Sequence, residues 1–296
     1  MFASALQSCQ TQVEIPDGAV YPILFGSTET RAVADLDDLK TNGFKVYAYF
    51  QGNVGGSASF ANNVKHAVVE GLDVWSFETP EYWIPNTNYW FKAVYPGGIG
   101  NVDNDSSEQT FTISDLDISK QQDVMVATAT ASVAENATAP ASGSVVNLTF
   151  HHLLANVVIA IKSEISGVIV KSVSLHEIAQ TGSYDETKAI PWSSTQTTSV
   201  KKENINITLT TGQNEYSDVT AGGFLVIPQV VKNKELSLSI VTSNKNYTIA
   251  IPDITWEVGV QYIYTLTIQQ NDIIFDLPTI VEEWDEKNAT GSVIIK

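Results

Sequence analysis

Apolar and polar residues alternate with period two over much of the chain. The runs "FKVYAYF" (Phe44 to Phe50), "YWFKAVYP" (Tyr89 to Pro96), "QTFTISDLDI" (Gln109 to Ile118) and "DVMVATATASV" (Asp123 to Val133) show it early. "SVVNLTF", "NVVIAIK", "GVIVKSVSLHEI", "NINITLT", "GGFLVIPQVV", "ELSLSIVTSN", "NYTIAIP" and "QYIYTLTI" continue it. β-Branched and aromatic residues fill these runs, with Gly, Pro, Asn and Asp between them, so each reads as a strand. Thr and Ser in alternate slots mark sheets with one wet face. Helical periodicity is scarce. "DLDDLKTNG" predicts a helix of about two turns, and "FANNVKHAVVEG" fits neither period cleanly. The expectation is an all-β protein, a sandwich of short strands at regular turn spacing.

The pattern breaks at "ASVAENATAPASGS" (Ala131 to Ser144), rich in Ala, Ser and Thr. It reads as an interdomain linker or a long surface loop. It separates a half holding Trp75, Trp83 and Trp90 from a half rich in Val, Ile and Thr. At 296 residues the chain has room for about two domains. A net charge of −17 repels polyanions and argues against a nucleic-acid or anionic-membrane partner.

The single cysteine, Cys9, excludes an intramolecular disulfide. It follows Leu6-Gln7-Ser8, which has the shape of a bacterial lipobox, with an aliphatic residue three before the cysteine and a small one just before it. In that reading the thiol carries diacylglycerol, and Gln10 to Gln12 begin a tether. Eight residues precede Cys9, short of a basic region plus an apolar stretch of about 7–15 residues. The competing reading is a free thiol in a frayed terminus.

Candidate chemistry is sparse. His151 and His152 are adjacent, so in a strand they point to opposite faces and cannot grip one metal. Asn101, Asp103 and Asp105 alternate like the opening of a calcium loop, but Ser106 and Thr112 stand where glycine and glutamate are needed. A solvated turn is the better reading. No G-x-S-x-G occurs, and "QGNVGGSA" lacks the lysine of a phosphate-binding loop. A glycosidase would need two carboxylates facing across a cleft at about 5–10 Å, and sequence alone picks no such pair. No enzyme activity, cofactor or metal is expected.

Arg31, in "GSTETRAVADL", is the only arginine in the chain. Beside Glu29 it could form an ordinary surface ion pair worth about 0–1 kcal/mol. An arginine-directed protease would nevertheless find one target here, in an expected loop.

Several fragments together resemble the fimbrillin-like (Mfa-like) family of Bacteroidetes surface proteins, subunits of type V fimbriae. They are Thr30-Arg31-Ala32 after a short apolar strand, then Trp75, then "EYWIPNTNYWFKAVYP". "DVMVATA" and "VNLTFHHLLANVVIAIK" follow, then "TGSYD" with Trp192, "YIYTLTI" and "TIVEEWDE". The resemblance implies two transthyretin-like Greek-key β-sandwich domains in tandem, at 32–138 and 139–296, behind a tether and removable segment at 1–31. It implies export to the outer membrane as a lipoprotein lipidated at Cys9, and a structural or adhesive role in a surface fimbria. It also implies assembly by strand exchange. A protease cuts between Arg31 and Ala32, the strand within "AVYPILFG" (Ala19, Val20, Tyr21, Ile23, Leu24, Phe25) leaves, and a neighbour's strand takes the groove. The partners so implied are other fimbrial subunits, an arginine-specific protease and a host or bacterial surface ligand.

The physics of such an exchange is general. A vacated strand position exposes unpaired N–H and C=O groups beside an apolar trough, and an incoming strand satisfies both. The C-terminal stretch holding Ser292, Val293, Ile294 and Ile295, or the earlier "DIIFDLPTIV", is a candidate donor. Either is equally readable as a strand of its own domain. The alternative function is a monomeric surface lipoprotein that binds a glycan or host protein. It requires Trp75, Trp83, Tyr89 or Trp90 to offer exposed faces in one patch.

Overall fold

A computed structural model describes residues 21–27, 36–52, 56–69, 72–105, 110–188, 192–212, 215–232, 237–275, 278–282 and 292–293. The fold is all-β. Strand β1 (Leu24–Ser27) precedes the one α-helix among the described residues, α1 (Leu36–Asn42). Gly43, at φ 61°, stops this helix and returns its amide to the Leu39 carbonyl. Then come β2 (Phe44–Gly52), β3 (Gly56–Val69), β4 (Leu72–Phe77) and β5 (Thr87–Tyr95). The segment "FANNVKHAVV" is thus strand, not helix.

A hairpin of β6 (Val102–Asp105) and β7 (Thr110–Asp117) leads through a 3-10 turn (Ile118–Lys120) to β8 (Met125–Val133), β9 (Val145–Leu148) and β10 (His151–His152). The chain continues with β11 (Ala155–Ser163), the long hairpin β12 (Ile169–Asp185) and β13 (Trp192–Thr208), β14 (Tyr216–Asp218), β15 (Phe224–Val226) and β16 (Gln229–Val231). It ends with β17 (Ser237–Thr242), β18 (Asn246–Ala250), β19 (Ile254–Trp256), β20 (Val260–Ile268), β21 (Ile273–Phe275), β22 (Thr279–Glu282) and β23 (Ser292–Val293).

Four sheets result. The first runs β10-β8-β5-β2-β3-β4-β1-β9, the second β21-β20-β11-β14-β23, and the third β18-β17-β12-β7-β6. Strands β15 and β22 join the second sheet, β13 joins the third, and β16 pairs with β19. The composition change at 131–144 begins within β8 and ends just before β9, and both strands belong to the first sheet. Conversely β6 and β7 pair into the third sheet, against the far end of β12.

Among the described residues two apolar cores share the strands β2 and β5. Val46 and Ala48 face one core with Phe25, Trp75 and Phe91, while Tyr47, Tyr49 and Val94 face the other with Phe111 and Trp192. The crossover is short. Phe150 belongs to the first core, and Leu153 and Leu154 belong to the second. Between them His152, almost fully buried, meets Asp123 Oδ2 through Nδ1 at 2.5 Å. Leu153 donates to Val124 O at 2.8 Å and accepts from Trp192 Nε1 at 2.9 Å.

Glu186, at the β12–β13 turn, ties the two halves together. Its carboxylate pairs with Lys92 of β5 and accepts the Phe111 amide of β7 at 2.8 Å. Replacing it leaves a largely buried ammonium and an amide without their acceptor. Glu186→Ala is therefore expected to cost about 2–3 kcal/mol in denaturant unfolding. Glu186→Gln, which keeps an acceptor oxygen, should recover part of that.

Tyr49 nearby donates to Asn104 Oδ1 at 3.2 Å. Burial first, then Glu186, Tyr47 and Asp105, push its hydroxyl up from 10.0 to about 12. An acid whose folded pKa lies above its unfolded one stabilises fully below the unfolded value and loses that contribution as pH rises through the folded value. Thermal stability should accordingly fall between about pH 10 and 12 as Tyr49 ionises. Tyr49→Phe should flatten that part of the pH profile.

Candidate functional site

The first strand is an interior strand of its sheet. It lies antiparallel to β4, with Leu24 opposite Ser76 and Phe25 opposite Trp75. On its other side it runs parallel to β9, with Leu24, Phe25, Gly26 and Ser27 opposite Val145, Val146, Asn147 and Leu148. Proline at 22 holds Tyr21 extended, so the chain reaches the sheet already in strand conformation. There the segment between Pro80 and Pro85 grips it. Ile23 donates to Glu81 O at 2.8 Å, Trp83 donates to Tyr21 O at 3.1 Å, and Pro22 bridges to Tyr82.

Side chains complete the grip. Ile23 and Phe25 point into the first core at 1% and 0% exposure, and Leu24, on the opposite face, is 7% exposed. The Phe25 ring meets Phe77, Phe91 and Phe44 edge to face, at centroid distances of 5.1, 5.5 and 6.4 Å. Burying three such side chains contributes about 5–9 kcal/mol. That is comparable to the whole stability of a typical domain, about 5–15 kcal/mol. Emptying this position is costly unless something refills it.

The aromatic block around the groove is core. Trp75, Trp83 and Tyr89 are buried and Trp90 is half-buried. Trp83 packs edge-on against Tyr89 at 4.9 Å and sends its indole N–H to Ser144 O at 3.3 Å. The Tyr89 hydroxyl accepts the Ile84 amide at 2.9 Å. Burial raises the Tyr89 pKa, against a lowering by that amide. These four residues therefore offer no exposed patch on which sugars could stack. The aromatic rings that the glycan-binding alternative needs are spent on packing.

Of the residues expected to matter, Tyr21, Ile23, Leu24 and Phe25 are brought together in this groove. Cys9, Ala19, Val20, Arg31, Ala32, Ile294 and Ile295 lie outside the described residues. Arg31 falls in sequence between Ser27, the end of β1, and Leu36, the start of α1. Ser292 and Val293 form β23, paired with Ser217 and Tyr216 of the same chain at the edge of the second sheet. His151 is exposed and His152 buried, on opposite faces of β10. Asp103 and Asp105 sit on the outward face of strand β6, not in a calcium-loop turn.

The sequence did not reveal what lines the groove. Phe44, Phe77 and Phe91 read as ordinary strand residues, and the parallel partner β9 follows β1 by more than a hundred residues. Only the apolar run "YPILFG" carried a local signal.

A protein-family model described as fimbrillin-like matches residues 30–284. Comparison with curated proteins returned no match. Among solved structures, a fimbrial protein from Bacteroides vulgatus aligns over 90% of this chain and 100% of its own, with 16% identity and a TM-score of 0.61. A candidate cell adhesion protein from Bacteroides ovatus aligns over 90% and 99%, with 16% identity and a TM-score of 0.57. Another from Bacteroides uniformis aligns over 92% and 100%, with 16% identity and a TM-score of 0.56. These likenesses establish a shared fold. With the family model spanning most of its length, the chain belongs to the fimbrillin-like family.

Proposed function

We propose that this protein is a structural and adhesive subunit of a cell-surface fimbria, assembled by replacing β1 with a strand from a neighbouring subunit. Membership of the fimbrillin-like family supports the role, as does the fold shared with the fimbrial protein of Bacteroides vulgatus. One observation carries the mechanism. An interior strand is bound through buried side chains and two flanking ladders, and the only arginine follows it before the next element begins. A cut after Arg31 converts β1 from part of the chain into a bound peptide. Its departure then becomes a bimolecular exchange, in which an incoming strand restores both ladders and refills the trough.

In this reading the chain is exported and tethered to the outer membrane through lipid on Cys9 until it is processed. Assembly partners are other fimbrial subunits, and the processing partner is an arginine-specific protease. The test is made in cells that display the protein. Terminal sequencing of the surface form is expected to begin at Ala32, and Arg31→Ala is expected to leave the earlier residues attached. Metabolic labelling with a fatty acid should mark the unprocessed form and be abolished by Cys9→Ser. A displayed, assembled protein that still carries residues 19–27 would refute the exchange.

A further inference from the structure

The slot filled by β1 is not a uniform trough. At the Phe25 position three phenylalanine rings present themselves edge to face, with interplanar angles of 90°, 81° and 79°. That arrangement suits another ring, whose face and edge complement theirs. An aliphatic side chain there would leave part of the volume empty.

One residue further on, space closes. A Cβ at Gly26 would stand 3.0 Å from Asn147 Oδ1 and 3.1 Å from Val145 Cγ1. Alanine would need a shift of a few tenths of an ångström, and anything longer must push both side chains aside. The backbone at Gly26 is not left-handed, so this glycine provides room rather than an unusual conformation.

Resting on the reading that the groove receives a strand, we propose that it selects its occupant by a two-residue code. The inward central position takes an aromatic ring, and the next residue is no larger than alanine. Asn147 and Val145 set the second requirement, and Phe44, Phe77 and Phe91 set the first. Neither C-terminal stretch of this chain meets the code. Residues 292–295, Ser-Val-Ile-Ile, bring no ring. Ile273-Ile274-Phe275 repeats the order Ile23-Leu24-Phe25, but Asp276 follows where Gly26 stands. The fitting partner is an extended strand of another subunit carrying an aromatic–small pair.

The full chain, cut after Arg31, is incubated with fluorescent synthetic peptides, and the retained peptide is measured after gel filtration. The peptide of residues 19–27, "AVYPILFGS", is expected to displace the native fragment and stay bound. Its Phe25→Ala form should dissociate about 100-fold faster. Its Gly26→Val form should bind about tenfold more weakly, and regain affinity in the Asn147→Ala protein. The peptide "QNDIIFDLP" of residues 270–278 should also bind more weakly than the native sequence. Equal retention of the native and Phe25→Ala peptides overturns the ring requirement. Equal retention of the Gly26→Val peptide, or of "QNDIIFDLP", overturns the size limit. Both results leave strand acceptance intact. Failure of the native-sequence peptide to bind at all overturns strand acceptance itself.

Discussion

Phe25→Ala in the uncut protein is expected to lower unfolding free energy by about 3–5 kcal/mol, the usual cost of deleting a fully buried ring. For a chain of this size that is a fall in Tm of roughly 10 °C. The ring is 0% exposed and in contact with three others, and the cavity cannot collapse easily because Phe44, Phe77 and Phe91 each stand on a different strand. Calorimetry on Phe25→Ala and on a control at exposed Val230, on β16, separates a packing loss from a general effect. A loss below about 1 kcal/mol at Phe25 would mean that β1 does not occupy its slot in solution. After cutting at Arg31, the same substitution should speed release of the N-terminal fragment.

The second large effect lies elsewhere, at Gly223. Its φ is 103°, a conformation that side chains resist. A Cβ there would stand 1.9 Å from Asn156 Oδ1, far inside van der Waals contact. Asn156 cannot yield cheaply, since it is 1% exposed and its amide donates to Gly222 O at 2.8 Å. Backbone strain of about 1–3 kcal/mol adds to a lost buried hydrogen bond of about 1–3 kcal/mol. Gly223→Ala should therefore cost about 3–5 kcal/mol in denaturant unfolding. In the double variant with Asn156→Ala the clash with the Asn156 amide is gone and only the Val157 O contact at 3.1 Å stays, so the two costs should be less than additive. Because this turn belongs to the second sheet, Gly223→Ala should leave release of β1 unchanged. The pair of variants thus separates loss of stability from loss of the groove.

Removing β1 has a structural consequence beyond the groove. Among the described strands, β9 has no ladder partner other than β1. It leads through Phe150 directly to His152 and Leu153 at the crossover between the cores. Amides of Val145 to Leu148 should exchange with solvent faster once β1 has left, and be protected again when a strand refills the slot. Hydrogen exchange on the uncut, emptied and refilled protein measures this.

Much of this architecture was legible in the chain. Period-two runs such as Asp123 to Val133 became strands because one side of each alternation meets a core. "DLDDLKTNG" became a short helix because Gly43 terminates it. What sequence could not show is which faces are doubly buried. Tyr47 and Tyr49 alternate with Val46 and Ala48 as if one side were wet, yet both sides meet a core. "FANNVKHAVVEG" was ambiguous because its apolar spacing fits neither period cleanly, and pairing with β2 and β4 makes it strand.

The same limit governs the site. The run "YPILFG" and Arg31 stood out locally, whereas the ring box and the parallel partner depend on long-range pairing that leaves no local trace. Tryptophans in a block serve equally as core or as a binding platform, and only burial at Trp75 and Trp83 separates the two.

The most direct measurement is digestion of the full-length protein with an arginine-specific protease, followed by intact mass and size-exclusion chromatography over hours. The account predicts one cut after Arg31, loss of the fragment that carries β1, and growth of detergent-resistant oligomers when a strand bearing the aromatic–small pair is supplied by another subunit. A single cut that leaves the fragment bound in a stable monomer, whatever strand is offered, would contradict it.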